Sequence, residues 1–127
     1  MSETVLVIDD DCDLALMTTL WVRAAGLLCL VANSGPSGIQ AAEKYHPDII
    51  LLDIMMPGMD GFEVSRQLKE NLDLAHIPII FVSAKVQENA RHEALAAGGK
   101  FFLSKPYEGC DLIAAIDAAL DATRSAL

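Results

Sequence analysis

Five short apolar runs, beginning near residues 5, 28, 49, 79 and 101, are separated by gaps each long enough for one helix and its loops. That alternation is the pattern of βαβ units, whose successive strands lie parallel. The runs are near-continuous Val, Ile, Leu and Phe without polar alternation, as strands are when helices cover both faces of the sheet. At 127 residues the chain can bury one full core but not two, so residues 1–127 are expected to form a single α/β domain.

The punctuation between the runs sets the expected helices. Asp11 or Asp13 can cap a first helix that stops at Ala25, before Gly26. Pro36 introduces a second over 37–45, ended by Pro47, and Asp60 caps a third running to about Glu70. Residues 71–77 read as a loop. A fourth helix is expected over 87–97, closed by Gly98 and Gly99, and a fifth, Ala-rich and amphipathic, over 108–122.

Charge narrows the function classes. Eighteen acidic against nine basic residues give a net charge of −9, so the average surface repels phosphate backbones and direct nucleic-acid binding is not expected. No basic segment leads into a long apolar stretch near Met1, and no run approaches the length of a membrane span, so the expectation is a cytoplasmic protein without a membrane partner. Cys12, Cys29 and Cys110 are odd in number and widely spaced, which suggests buried or half-buried free thiols rather than disulfides or zinc ligands. His46, His76 and His92 share no ligand spacing.

Four of the runs end in polar groups: the first in Asp9 and Asp10, the third in Asp53, the fourth in Ser83, the fifth in Ser104 and Lys105. In a parallel sheet these endings share the carboxyl edge, where open α/β sheets build their sites. Asp11 or Asp13 at the first helix and Asp60 at the third suffice as caps, which leaves Asp9, Asp10 and Asp53 without a structural duty. Carboxylates gathered in one place raise each other's pKa unless a cation sits among them. Oxygen-only ligation suits Mg²⁺, or Mn²⁺, rather than zinc or copper. A metal, the Lys105 ammonium and the Ser83 hydroxyl are what a transferring phosphoryl group needs, and a carboxylate such as Asp53 can accept one covalently.

The residues resemble a known family. Val-Leu-Val-Ile-Asp-Asp-Asp at 5–11, Asp-Ile-Met-Met-Pro-Gly-Met-Asp-Gly at 53–61, Ser83-Ala84, and Phe-Phe-Leu-Ser-Lys-Pro at 101–106 are similar to the receiver domains of two-component response regulators, over essentially the whole chain. The resemblance implies a flavodoxin-like, doubly wound (βα)5 fold with a five-stranded parallel sheet in the order 2-1-3-4-5. It implies Asp53 as phosphoacceptor and Asp9, Asp10, Asp53 and the backbone carbonyl of Met55 as Mg²⁺ ligands, with Asp10 the closer of the first two. Lys105 would pair with the acyl phosphate, and Ser83 and the Ala84 N–H would bind its oxygens. The Lys105–Pro106 bond is often cis in such domains, which proline makes accessible. Gly58 and Gly61 fit the turn after Pro57, where positive φ is useful.

The same resemblance implies a switch in which Ser83 moves toward the phosphate and Phe102 rotates inward behind it. Core packing is the competing reading of Phe102. The element that changes would comprise the helix over 87–97, the fifth strand and the fifth helix, and through it the chain would select a downstream protein or a second copy of itself. The phosphoryl donor would be a sensor histidine kinase or a histidine phosphotransfer protein. On the first helix, a buried face of Leu14, Met17, Thr18, Trp21 and Ala25 puts Leu16 and Leu20 on the outside, an apolar stripe suited to partner docking. A Mg²⁺-dependent phosphohydrolase is the enzyme alternative, but phosphatases with an aspartyl nucleophile want a second Asp where this chain has Met55. The expectation is therefore a switch with slow self-catalysed dephosphorylation, not an enzyme. A scaffold without chemistry would not need Asp9, Asp10, Asp53, Ser83 and Lys105 together.

Overall fold

The computed structural model describes residues 3–83 and 101–125. The five apolar runs form strands β1 (Thr4–Ile8), β2 (Leu28–Ala32), β3 (Ile49–Asp53), β4 (Ile79–Ser83) and β5 (Phe101–Ser104). They pair in parallel in the order β2-β1-β3-β4-β5, as the resemblance implied. The described helices are α1 (Cys12–Ala24), α2 (Gly35–Tyr45), α3 (Gly61–Glu70) and α4 (Gly109–Ser125), the last being the fifth expected from the sequence. The helix expected over 87–97, together with Ala84, Gly98 and Gly99, lies outside the described residues.

Alternating strand residues feed two cores. Leu6, Ile8, Ile50, Leu52 and Phe81 pack with Val64 and Leu68 of α3 and Ala42 of α2 on one face. Val5, Val7, Leu51, Ile80 and Val82 pack with Ala15 and Val22 of α1 and Leu112 and Ile116 of α4 on the other. The central strands β3 and β4 are buried at every position. Along β2, which forms one edge of the sheet, Leu28 and Val31 are exposed.

Helix starts follow from capping. Asp11 caps α1 by accepting from the Asp13 and Leu14 N–H groups, and Asp60 caps α3 by accepting from the Glu63 N–H. The second helix begins two residues earlier than expected. Ser34 and Ser37 form a reciprocal capping box, and Pro36 sits inside the first turn, where its missing N–H costs nothing. Helix α4 runs three residues beyond the expected end.

Three other expectations need correction. Gly58 does adopt positive φ (78°), but Gly61 does not: its role is space, since a Cβ there would come within 2.5 Å of the Asp53 carbonyl oxygen. Cys29 is buried, whereas Cys12 and Cys110 are exposed rather than half-buried. On α1 the buried face is Ala15, Thr18, Thr19 and Val22, while Met17 and Ala25 face outward. The two threonines are admitted because Thr18 bonds to the Tyr107 hydroxyl and Thr19 donates to the Ala15 carbonyl.

Candidate functional site: a carboxylate cluster with a lysine

The strand ends deliver Asp9, Asp10 and Asp53 to one place. Each of the three offers a carboxylate oxygen, and these atoms all lie within 4.8 Å of one another. Asp9 and Asp53 are buried, with 4% and 3% of their surface exposed, and Asp10 lies on the outside. The backbone holds the two buried carboxylates from behind: the Asp11 N–H donates to Asp9 Oδ1 at 2.9 Å, and the Met55 N–H donates to Asp53 Oδ1 at 3.2 Å. The Met55 side chain itself is exposed.

Lys105 arrives from beyond β5. Its Nζ donates to Asp53 Oδ2 at 3.1 Å and stands 3.4 Å from Asp9 Oδ2, so one ammonium bridges two acids. Its backbone N–H donates to the Ser83 carbonyl at 2.7 Å, which joins the ends of β4 and β5, and the Lys105–Pro106 peptide is cis. Ser83 is buried at the end of β4. Phe102 is half-buried and stacks on Phe81, with ring centroids 5.9 Å apart and planes 30° from parallel.

One cation does not balance the cluster. Burial, and then the neighbouring Asp9 charge, push the Asp53 carboxyl up from 3.8 to about 6 against the pull of Lys105. Burial acts on Lys105 in the opposite sense, but the charges of Asp53 and Asp9 outweigh it and raise the ammonium's pKa. Three carboxylates, two of them buried, with a carboxyl still held above its ordinary range, form a donor set that fits a hard divalent cation.

Comparison with known proteins decides the family. The response regulator receiver domain model matches residues 5–117. The chain belongs to that family. Among similar proteins, the receiver is 33% identical over 120 residues to the DNA-binding response regulator MtrA of Mycobacterium tuberculosis, covering 94% of this chain and 51% of MtrA. It is 38% identical over 117 residues to the response regulator PleD of Caulobacter vibrioides, covering 91% of this chain and 26% of PleD. The chain thus spans about half the length of MtrA and about a quarter of PleD. The solved structure of the chemotaxis protein CheY4 of Vibrio cholerae superposes with a TM-score of 0.92 at 25% identity, over 94% of this chain and all of that one. Receivers are phosphoacceptor signalling domains of two-component systems rather than classical enzymes; response regulators work with histidine kinases and downstream targets, and the family typically binds Mg²⁺.

The structure therefore brings Asp9, Asp10, Asp53 and Lys105 into one receiver site and joins Ser83 to it through the backbone. Ala84 lies outside the described residues. Leu16 and Leu20 stand on the outer face of α1, 62% and 55% exposed, and Met17 joins them. No helix among the described residues is long and apolar enough to cross a membrane. What sequence reasoning missed is Tyr107. It is buried two residues past Lys105, with its hydroxyl 2.6 Å from Thr18 Oγ1, and its contact across 89 positions leaves no local pattern.

Proposed function

We propose that the receiver accepts a phosphoryl group on Asp53 from a phosphohistidine of a sensor histidine kinase or a histidine phosphotransfer protein. The observation that carries this reading is the Lys105 ammonium lying 3.1 Å from Asp53 and 3.4 Å from Asp9, against a carboxylate cluster still short of positive charge. A carboxylate oxygen of Asp53 attacks phosphorus, the P–N bond breaks, and its electron pair leaves with the imidazole. Lys105 faces the charge that gathers on the phosphoryl oxygens and holds Asp53 in place during the attack. The Ser83 hydroxyl and the Ala84 N–H donate to those oxygens. Asp9, Asp10 and Asp53, with the Met55 carbonyl, would hold Mg²⁺, which when bound supplies the positive charge that the ammonium alone does not.

The acyl phosphate then alters a surface. Ser83 and Phe102 are the switch residues of this reading, and the responding face comprises residues 87–97, β5 and α4. A downstream protein, or a second phosphorylated copy, reads that face, while Leu16 and Leu20 on α1 meet the phosphoryl donor. Slow attack by water resets the site. Residues 1–127 act as one receiver unit in the cytoplasm, the setting typical of the family. The chain itself contacts neither nucleic acid nor membrane on this reading, in keeping with its charge of −9.

Incubation with acetyl phosphate and Mg²⁺, followed by intact mass, tests the proposal. The expected result is a stoichiometric adduct of about 80 Da, one phosphoryl group, that is absent in Asp53→Ala and after chelation of the metal. An adduct that persists in Asp53→Ala, or none in the unaltered protein, refutes it.

A further inference from the structure

Lys105 is anchored from both sides. On its N-terminal side the Lys105 N–H holds the Ser83 carbonyl at 2.7 Å. On its C-terminal side, after Pro106, Tyr107 turns into the core that α1 and α4 share, and its hydroxyl meets Thr18 Oγ1 at 2.6 Å. Thr18 is fully buried at the middle of α1, and Tyr107 is 7% exposed. The indole of Trp21, one turn further along α1, lies with its ring centroid 6.0 Å from that of Tyr107. Gly109 makes room for the indole, since a Cβ there would come within 2.8 Å of the ring.

A phenol and a threonine hydroxyl are costly to bury and gain little net stability over a matched apolar pair, because both lose water to make one bond. What the polar pair adds is direction. An apolar contact tolerates sliding along the helix, whereas a 2.6 Å hydrogen bond between buried groups has one geometry. The backbone beneath the ammonium is thus tied on one side to Ser83 and on the other, through Pro106 and Tyr107, to Thr18.

We infer that Tyr107 and Thr18 are a positioning pair whose hydrogen bond sets the height of the Lys105 ammonium against Asp53 and Asp9. The inference rests on the reading of Lys105 as the cation that faces the phosphoryl group. Neither residue touches the reacting atoms; both act through Lys105.

Tyr107→Phe, Thr18→Val, the double variant and Thr18→Ser are compared by the rate of adduct formation from acetyl phosphate and Mg²⁺, by melting temperature, and by acylation of the Lys105 amine with acetic anhydride in metal-free protein. Each single variant is expected to slow phosphorylation about tenfold, as a small misplacement of a charged group does. Thr18→Ser keeps the hydroxyl and retains the rate. The double variant, which leaves no orphaned hydroxyl, recovers the melting temperature but stays slow and shows faster acylation of Lys105. In a Lys105→Ala background Tyr107→Phe adds no further loss, because a residue that acts through another is silent once that other is gone. The inference is overturned if the double variant phosphorylates at the unaltered rate, or if Tyr107→Phe slows the Lys105→Ala protein by the same factor as the parent. Should a single variant fail to fold, the double variant, with its matched apolar groups, decides the matter. An unaltered protein that forms no adduct refutes the phosphoacceptor reading and this inference with it, whereas normal adduct formation with indifferent Tyr107 variants overturns this inference alone.

Discussion

Replacing the proposed phosphoacceptor should make the metal-free protein more stable. Asp53 is buried against Asp9, and its carboxyl is held at about 6 instead of its ordinary 3.8. A carboxyl raised in the folded state binds its proton more tightly there than in the unfolded chain, so this contribution to stability is fully present below about pH 4, falls as pH rises and is lost once pH passes through about 6. At about 1.4 kcal/mol for each pH unit, the rise corresponds to a ceiling of about 3 kcal/mol of destabilisation at neutral pH. Side-chain relaxation, water penetration and solvent screening reduce that figure, which leaves about 1–2 kcal/mol. Asp53→Asn removes the charge and keeps the shape. In buffer free of divalent cations at pH 7.5, its melting temperature should exceed that of the unaltered protein by roughly 3–10 °C. The difference should shrink to about a third at pH 4.5, where the native Asp53 carries its proton but the unfolded chain's carboxyl is still largely ionised. The assay is a series of thermal melts by circular dichroism across that range. If the variant melts at or below the unaltered protein at pH 7.5, or if the gap is the same at pH 4.5, the account of the cluster as short of positive charge is wrong.

Two further outcomes follow from the geometry. Leu16→Glu on the exposed face of α1 should leave the melting temperature and acetyl-phosphate labelling unchanged while weakening phosphotransfer from a cognate histidine phosphodonor about tenfold, measured by transfer kinetics; equal transfer rates would make the stripe incidental. Gly61→Ala sets a Cβ within 2.5 Å of the Asp53 carbonyl oxygen and 2.8 Å of the Ile54 Cα, both backbone atoms that cannot swing aside, and should cost about 1–3 kcal/mol in chemical denaturation.

The sheet was legible because β1, β3, β4 and β5 are uninterrupted apolar runs whose last residues change character abruptly, and that same boundary marks Asp9, Asp53, Ser83 and Lys105. The start of α2 is harder to place because Pro36 reads as a helix opener, while the Ser34–Ser37 box that opens the helix reads as loop composition. The inward face of α1 departs from its hydropathy for a related reason. Hydropathy favours Met17 over Thr19, yet Thr19 donates to the Ala15 carbonyl and so enters the interior without an unpaired hydroxyl. The turn after Pro57 suggests a conformational role for Gly61, whereas its duty is clearance around Asp53, a distance between chain segments that no local pattern encodes. The Thr18–Tyr107 bond belongs to the same class.

The ammonium that meets Asp53 and Asp9 is supplied from beyond the final strand, while the acids stand at the ends of the first and third. A polypeptide emerging from the ribosome therefore carries Asp53 for some fifty residues before the lysine that pairs with it exists. A half-made molecule, or one whose β5 has come loose, has Asp53 but not its counter-charge. On the proposed reading, competence to receive a phosphoryl group therefore waits until residue 105 has been made and docked, and a molecule that lacks it is excluded without any separate device to recognise it.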